Sequence, residues 1–178
     1  MASDQSYSRN ITSEPNAPVA RDLVQSALSI ELLRPSADLW LVSAWISDVG
    51  ILDNAGGDFA SVAPQWPLGE VLLSDYLIHL AQQGTRVHIR TRKGECHNQS
   101  FLSRFRGEAG VSGVESQIFI DEIKGEHRKR MVTEKFVLWG SMNFTFNGLA
   151  RNVEDLQLMR DPVKVAEAVA EMSARNRG

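Results

Sequence analysis

Two short groups of residues in this sequence carry side chains suited to phosphoryl chemistry. His127 and Lys129 stand two positions apart, and Gly140-Ser141-x-Asn143 follows them. Because alternate side chains of a β-strand share a face, a strand here would place the imidazole beside the ammonium group. Imidazole has an unperturbed pKa of about 6.5, so it can be a nucleophile or a proton donor near neutral pH. The ammonium group offers a point charge to phosphate oxygens, and a hydroxyl and an amide can donate hydrogen bonds to an oxyanion.

The order of these residues resembles the signature of the phospholipase D superfamily. That signature is His-x-Lys, an acid five residues beyond the lysine, then Gly-Ser-x-Asn and a downstream acid. The chain matches it at His127, Lys129, Gly140, Ser141 and Asn143, and continues with Phe144-Thr145 and Asn152-x-Glu154. The one departure is Glu134, which stands where the family usually has aspartate. The resemblance gives this acid a structural role, so the change bears on the local turn more than on the chemistry.

The resemblance implies a mechanism that uses no metal and no other cofactor. His127 would attack phosphorus and form a covalent phosphohistidine. Lys129 and Asn143 would hold the non-bridging oxygens, with support from Ser141. Glu154 would accept the other ring N–H of His127 and so fix its tautomer. The motif also lacks a carboxylate cluster of the kind that holds two magnesium ions.

The implied mechanism needs a second histidine, which protonates the leaving oxygen and later activates water. The chain has one motif, because His79, His88 and His97 all lack a lysine two positions later. The sequence therefore predicts a homodimer whose two motifs face each other across a twofold axis and form one site. Small single-motif members of the family are built in this way.

Residues near the motif are candidates for substrate contact. His97 lies in a predicted loop, where the alternative is a solvated histidine. Arg128 and Arg130 point away from His127 if the strand is regular, and could form a solvated face or contact a substrate backbone or a second subunit. The tryptophans are interpreted as core residues with one exception, Trp66 in its proline-flanked loop, which could reach a ligand; the others are Trp40, Trp45 and Trp139.

The elements that position these groups follow from hydrophobic patterning and from glycine and proline punctuation. Strands interleaved with helices predict an α/β fold in which a mixed β-sheet is flanked by helices on both faces, in a single domain. Helices are predicted over 19–33, 68–83 and 99–106 and from Asp161 onward, strands over 39–46, 86–91, 115–120, 127–132, 135–139 and 153–159, and a long loop over 48–67.

Length and composition describe an ordinary globular domain. The 178 residues, with 43% hydrophobic and 23% charged, predict a flexible N-terminal segment over 1–18 and a phospholipase D-like domain over 19–178. The single cysteine, Cys96, excludes an internal disulfide. No apolar run approaches the roughly 18 residues needed to span a bilayer, and the first residues show no secretory signal. We therefore expect a cytoplasmic protein without a membrane partner.

The substrate is predicted from local rather than net charge, because the net charge is -3. The motif segment is basic and could offset a chain of phosphates, through Lys124, Arg128, Lys129, Arg130 and Lys135. Dimeric single-motif proteins of this size resemble bacterial endonucleases, so we predict a DNA endonuclease. The chain is also similar to phospholipase D-like proteins of bacterial DNA-modification and phage-defence clusters, which would place it in a larger complex.

Two other functions are open at this point. One is a phospholipid or small-molecule phosphodiesterase, since the superfamily also acts on such substrates. The other is a non-catalytic dimeric module that binds nucleic acid. It is suggested by Glu134, the departure from the signature, and by the net negative charge.

Overall fold

A computed structural model of the chain describes residues 8–12, 17–145 and 155–175. The strands are β1 (Ser8–Thr12), β2 (Asp38–Ser43), β3 (Gly50–Asp53), β4 (Glu70–Leu72), β5 (Arg86–Arg92), β6 (Ile118–Ile123), β7 (Lys129–Val132), β8 (Val137–Gly140) and β9 (Asp155–Met159). The helices are α1 (Ala17–Leu33), α2 (Leu73–Gln82), α3 (Cys96–Ser112) and α4 (Pro162–Arg175), with a short 3₁₀ turn at Glu115–Gln117.

Seven of the strands form one mixed sheet in the order β1-β9-β8-β7-β2-β5-β6. β2, β5 and β6 are parallel, whereas β7, β8, β9 and β1 are each antiparallel to their neighbours. β2 lies in the middle, and all its residues after Asp38 are buried, as its continuous apolar run predicts. The predicted mixed sheet in a single domain is confirmed.

The two faces of the sheet are covered by different helices. Alternate residues of the strands, such as Leu39 and Leu41, join side chains of α1, α2 and α3 in the main core. The intervening residues Trp40 and Val42 pack with Val165 and Met172 of α4 in a smaller cluster. Helices therefore lie on both faces, and the alternation of strand side chains explains why one strand serves two cores.

Several predicted elements have different bounds: the predicted helix over 68–83 begins only at Leu73, after β4, and the predicted strand over 115–120 is β6 at Ile118–Ile123. In two other places the sequence signals are obscured. The predicted loop over 48–67 contains β3, which pairs with β4 in a separate two-stranded sheet. Ile51 and Leu52 are buried, but the run around them is too short to stand out from the glycines and prolines that follow. α3 extends beyond the predicted helix over 99–106 at both ends. Its buried face includes Phe101, Phe105 and Ala109, but the glycines in its second half have low helix propensity and so argued against a helix there.

The N-terminal segment holds a strand that the sequence did not predict. β1 is the edge strand of the sheet and pairs along its whole length with β9. Its stability comes from main-chain hydrogen bonds, which leave little pattern in a polar sequence. β1 and the start of α1 at Ala17 therefore lie within the N-terminal segment predicted over 1–18, before the predicted domain start.

The start of α4 gives a stability prediction. The Asp161 Oδ1 accepts hydrogen bonds from the main-chain N–H groups of Val163 and Lys164, both at 3.0 Å, so Asp161 is the predicted N-cap. We expect Asp161→Ala to lower the free energy of unfolding by about 1 kcal/mol. Thermal or urea unfolding would measure this, with exposed Asp58→Ala as the control. An equal effect of the two substitutions would contradict the capping role.

None of the helices that the structure describes is long and apolar enough to cross a membrane.

Candidate active site

The topology brings the motif residues to one edge of the sheet. β2, β5 and β6 run in the same direction, and β7 and β8 form an antiparallel hairpin beside β2. The end of β2, the start of β7, the end of β8 and the start of β9 therefore meet at the same edge, as the pairs Ser43↔Lys129 and Gly140↔Leu156 show. Residues far apart in sequence become neighbours there.

His127 and Lys129 contact each other at this edge. The Lys129 Nζ lies 3.2 Å from the His127 Nδ1 and donates a hydrogen bond to the His127 carbonyl at 2.7 Å. His127 is exposed and precedes β7, whose first residue is Lys129. The predicted strand over 127–132 is thus shorter than expected, but its pairing of imidazole and ammonium is present.

Glu126 anchors the backbone around the histidine. Its Oε1 accepts hydrogen bonds from the main-chain N–H groups of His127 and Arg128, both at 3.0 Å, and from the Arg128 Nε at 2.8 Å. A second contact joins the other carboxylate oxygen to the same guanidinium group. Burial alone would raise the pKa of Glu126, but the hydrogen bonds from Arg128 and the main chain outweigh it and lower the pKa to about 2. A charged carboxylate that is 4% exposed therefore fixes the segment carrying His127.

The side chain of Asn143 is oriented by the segment that follows β2. Its Oδ1 lies 3.4 Å from the main-chain N of Trp45 and 3.3 Å from the Oγ of Ser43. Because a main-chain N–H can only donate, the amide oxygen must face Trp45 and the Nδ2 must point the other way. Ser43 also accepts a hydrogen bond from the main-chain N of Phe144 at 3.3 Å. The Asn143 amide is thus held with its donors directed away from the β2 segment.

Asn98 holds the same segment from the opposite side. Its Oδ1 accepts from the main-chain N of Ile46 at 2.9 Å, and its Nδ2 donates to the carbonyl of Ala44 at 3.0 Å and to the Thr91 Oγ1 at 2.7 Å. Asn98 is fully buried in the first turn of α3. One buried amide thereby ties the ends of β2 and β5 to a helix.

Ser141 and Gly140 join the motif to β9. The Ser141 main-chain N donates to the Asp155 carbonyl, and its Oγ accepts from the Asp155 N, both at 3.0 Å. A Cβ on Gly140 would lie 1.8 Å from that carbonyl oxygen, so no other residue fits without moving the strand. Ser141 is therefore a tie to the start of β9. Glu154, the predicted orienting acid, lies outside the described residues, as does Asn152.

Comparison with solved structures identifies the fold. Nuc from Salmonella typhimurium, a phospholipase D family member, matches with a TM-score of 0.63 at 15% sequence identity, over 97% of this chain and 95% of that one. NucT from Helicobacter pylori matches with a TM-score of 0.62 at 13% identity, over 96% and 95%. The chain has the fold of the phospholipase D superfamily. No family model matches its sequence, and no curated protein sequence matches it.

The phospholipase D-like fold is shared with larger proteins. The phosphatidylserine synthase of Haemophilus influenzae matches with a TM-score of 0.60 at 14% identity, over 96% of this chain and 38% of that one. The archaeal chromatin protein TrmBL2 matches with a TM-score of 0.52 at 13% identity, over 96% and 52%. At these identities the matches show the fold, and the chemistry must be argued from the residues.

Two arginines of the phospholipase D-like motif segment are engaged within the chain. Arg128 is paired with buried Glu126, and the Arg130 guanidinium donates to both carboxylate oxygens of Glu171 on α4, at 3.0 and 2.9 Å. Arg130 points to the α4 face, as the strand alternation predicts. These ion pairs balance both charges internally, so the geometry does not favour the predicted contact of Arg128 and Arg130 with substrate.

The acid of the signature lies far from the histidine. Glu134 is exposed in the turn between β7 and β8, at the opposite edge of the sheet. Next to it, the Lys135 Nζ donates to the buried Glu31 carboxylate at 3.1 Å and to the Ser36 Oγ at 2.7 Å. Lys135 thus belongs to a buried network at that edge. It cannot contribute to the basic surface around His127 that the sequence suggested.

The other histidines have separate surroundings. His97 is exposed at the start of α3, at the site edge, and its Nε2 lies 2.6 Å from the Ser47 Oγ. His88 lies in β5, 2.7 Å from the Asp38 carboxylate and stacked between Trp40 and Phe119. His79 contacts Gln65 inside the fold, and burial lowers its pKa. Only His97, among these three, lies at the same edge as His127.

Two tryptophans differ from their predicted roles. Trp66 lies in its loop as predicted, but it is 8% exposed and packs near Tyr76, so it belongs to the core and does not reach out to a ligand. Trp45, interpreted as core, is only partly buried, and its ring centroid lies 6.3 Å from that of His127. The exposure of Trp45 could not be predicted from the sequence, because Trp45 stands in the same apolar run as Trp40.

Proposed function

We propose that this chain is a metal-independent phosphodiesterase that hydrolyses DNA through a phosphohistidine, at a site shared by two subunits. One observation carries the proposal: the exposed imidazole of His127 lies 3.2 Å from the ammonium group of Lys129, at the edge where the Asn143 amide is also held. A nucleophile, a cation and a directed amide at one place form a site suited to a phosphate diester.

The contact between Lys129 and His127 has a consequence for the proton on the ring. An ammonium group can only donate, so the His127 Nδ1 that faces it must accept, and the neutral ring carries its proton on Nε2. In that form Nε2 has no free lone pair and cannot attack phosphorus. When phosphate oxygens draw the ammonium group away from Nδ1, the ring proton can move to Nδ1, where a carboxylate such as Glu154 would accept its hydrogen bond, and Nε2 becomes free to attack.

The proposed reaction has two steps, and the His127 imidazoles of the two subunits have different roles in it: one is the nucleophile, and the other is first an acid and then a base. The Nε2 of His127 forms a bond to phosphorus, the P–O bond to the leaving sugar oxygen breaks, and His127 of the partner subunit gives that oxygen a proton. That second ring then takes a proton from water, whose oxygen displaces the first ring from phosphorus. Lys129 and Asn143 hold the non-bridging oxygens in both steps, and the electrostatic stabilisation they supply strengthens as charge develops.

DNA is the substrate class that the charges at the site edge favour. Lys93 follows β5 and Lys124 follows β6, and both are exposed at the edge that carries His127. Together with Lys129 they offer positive charge along a path, which suits a chain of phosphates better than a single head group. TrmBL2, an archaeal chromatin protein that shares this fold, binds DNA. A cytoplasmic location belongs to this proposal as well, and a role in phage defence within a larger complex is added to it by resemblance.

A second candidate is a dimeric DNA-binding module without catalysis. Similarity in fold to the chromatin protein TrmBL2 is the observation that favours it. It predicts that DNA binds as tightly to His127→Ala as to the wild-type chain, with no cleavage by either protein. It ranks second because a protein that only binds DNA has no use for an exposed imidazole in contact with a lysine.

The decisive experiment measures cleavage without metal ions. Wild-type protein is incubated in excess EDTA with supercoiled plasmid, with single-stranded DNA and with phosphatidylcholine vesicles. We expect cleavage of DNA that EDTA does not reduce, and no release of phosphatidic acid. Loss of activity on chelation would overturn the metal-independent mechanism, and turnover of the vesicles alone would show a lipid phosphodiesterase. A stable monomer by sedimentation, with activity retained, would overturn the shared site.

A further inference from the structure

Trp45 is a partly exposed aromatic residue at the site edge that no step of the proposed reaction uses. It lies just after β2, and its indole packs edge-on to the His127 imidazole, with 6.3 Å between ring centroids and 76° between ring planes. Trp40 and Trp66 are buried in the two cores, and Trp139 packs beside the α4 cluster. Trp45 is thus the tryptophan that lies against the proposed nucleophile.

The backbone under Trp45 is held on both sides. Its main-chain N lies 3.4 Å from the Asn143 Oδ1, and its carbonyl accepts a hydrogen bond from the buried Ser43 Oγ at 2.7 Å. The residues before and after it, Ala44 and Ile46, are bound by Asn98. Buried side chains therefore fix the backbone of a residue whose own ring reaches the surface. Such an arrangement is preorganised for binding, because little freedom remains to be lost when a ligand contacts the ring.

We propose that the Trp45 indole is a platform for the nucleobase next to the scissile phosphate, and that it makes single-stranded DNA the preferred substrate. This inference rests on the proposed function, since it names the substrate of the same site. Every nucleobase has a π-face, so stacking on an aromatic ring needs no sequence preference. In duplex DNA the bases are already stacked on one another, and the base would have to leave the helix to reach Trp45.

A purely structural role for Trp45 predicts a different result. If the indole only supports the imidazole of His127, its removal should impair every substrate equally, with or without bases. If it stacks on a base, its removal should weaken only those substrates that carry one. The two roles are separated by comparing a deoxythymidine oligomer with an oligomer of equal length built from abasic tetrahydrofuran residues, which has the same phosphates.

The experiment measures the dissociation constants of both oligomers by fluorescence anisotropy, and the KM of their cleavage, in the full chain. We expect the wild-type protein to bind the deoxythymidine oligomer about 10-fold more tightly than the abasic one. Trp45→Ala should reduce this ratio to about one and leave the abasic oligomer unaffected, whereas Trp45→Phe should keep most of the ratio. Trp66→Phe, at a tryptophan packed against His79 of α2, is the matched control and should keep it fully.

Several outcomes overturn the proposal. An unchanged ratio in Trp45→Ala, an equal loss on both oligomers, or no binding of either oligomer would each do so. Failure of the proposed function looks different, because it is the absence of EDTA-resistant cleavage. The binding ratio can be measured in that case too, and it still decides the role of Trp45.

Discussion

Replacing His127 by alanine is expected to reduce EDTA-resistant DNA cleavage by at least about 1,000-fold, with little loss of stability. The imidazole is exposed, so its removal leaves no cavity in the core. In the proposed reaction it is both the nucleophile of one subunit and the proton donor of the other, and each dimer of the variant would lack both groups. Loss of a nucleophile that acts as one unit with its partners removes most of the rate enhancement.

Initial rates on labelled single-stranded DNA would measure the effect, with His88→Ala as the matched control. His88 contacts Asp38 and two aromatic rings away from the site, so its substitution should leave cleavage largely intact. Wild-type protein denatured with detergent at alkaline pH, where a phosphohistidine is stable, should carry labelled DNA on a histidine, and His127→Ala should carry none. Cleavage by the variant within about 10-fold of the wild type would sink the mechanism.

Subunit mixing extends this prediction to the shared site. When a fixed amount of wild-type protein is refolded with excess His127→Ala, most wild-type subunits enter mixed dimers. Such a dimer has one His127 instead of two. We therefore expect activity per wild-type subunit to fall steeply as the variant is added. Activity that stays constant per wild-type subunit would show that each chain acts alone.

The second large effect is expected at Glu126, which no part of the superfamily signature includes. Glu126→Gln should lower the free energy of unfolding at neutral pH by about 3 kcal/mol, because it removes the buried carboxylate that pairs with Arg128 and leaves only Glu171, 3.9 Å away, to balance that guanidinium. Cleavage should fall as well, since the same carboxylate holds the main chain at His127. Urea unfolding and initial rates would measure the two effects.

The pH dependence of this stability follows from the lowered pKa. In the unfolded chain the carboxyl titrates near its usual value of 4.5, whereas in the folded chain it titrates at about 2. The folded state therefore gains stability from Glu126 above about pH 4.5, and it loses that stability as the pH falls towards 2. The difference between the wild type and Glu126→Gln should be constant from pH 5 to 7 and shrink below that range.

Glu134→Gln is the matched control, because Glu134 is the acid of the signature yet lies exposed at the opposite edge. We expect it to change stability by less than about 0.5 kcal/mol. A larger effect at Glu134 than at Glu126 would contradict the placement of both residues. It would restore to the signature acid the structural role that the sequence resemblance implies.

Much of the fold could be predicted because its signals are local. The continuous apolar run of β2 indicated a strand buried on both faces, and Asp161 before Pro162 indicated the start of α4. The contact between His127 and Lys129 also follows from sequence spacing. β1 could not be predicted, since it is stabilised by main-chain pairing with a strand that lies at the other end of the chain.

The groups that support the site left no such signal. Glu126 is one acid in a polar turn, where solvent exposure is the ordinary expectation, and it is instead buried and paired with Arg128, which also contacts Glu171 of α4. Asn98 stands near the start of a helix, and its partners lie in β5 and in the segment after β2. Glu134 was given a structural role in the local turn, and the structure places it exposed in the turn between β7 and β8, at the edge opposite His127.

The tie between Ser141 and Asp155 has a consequence for how such a protein can diversify. Both ends of the intervening segment are fastened to the sheet by a pair of main-chain and hydroxyl hydrogen bonds, so the strands on either side keep their register independently of it. Changes of length or composition at residues 146–151 would therefore leave the pairing of β8 with β9 intact, and would leave His127 and Lys129 in place.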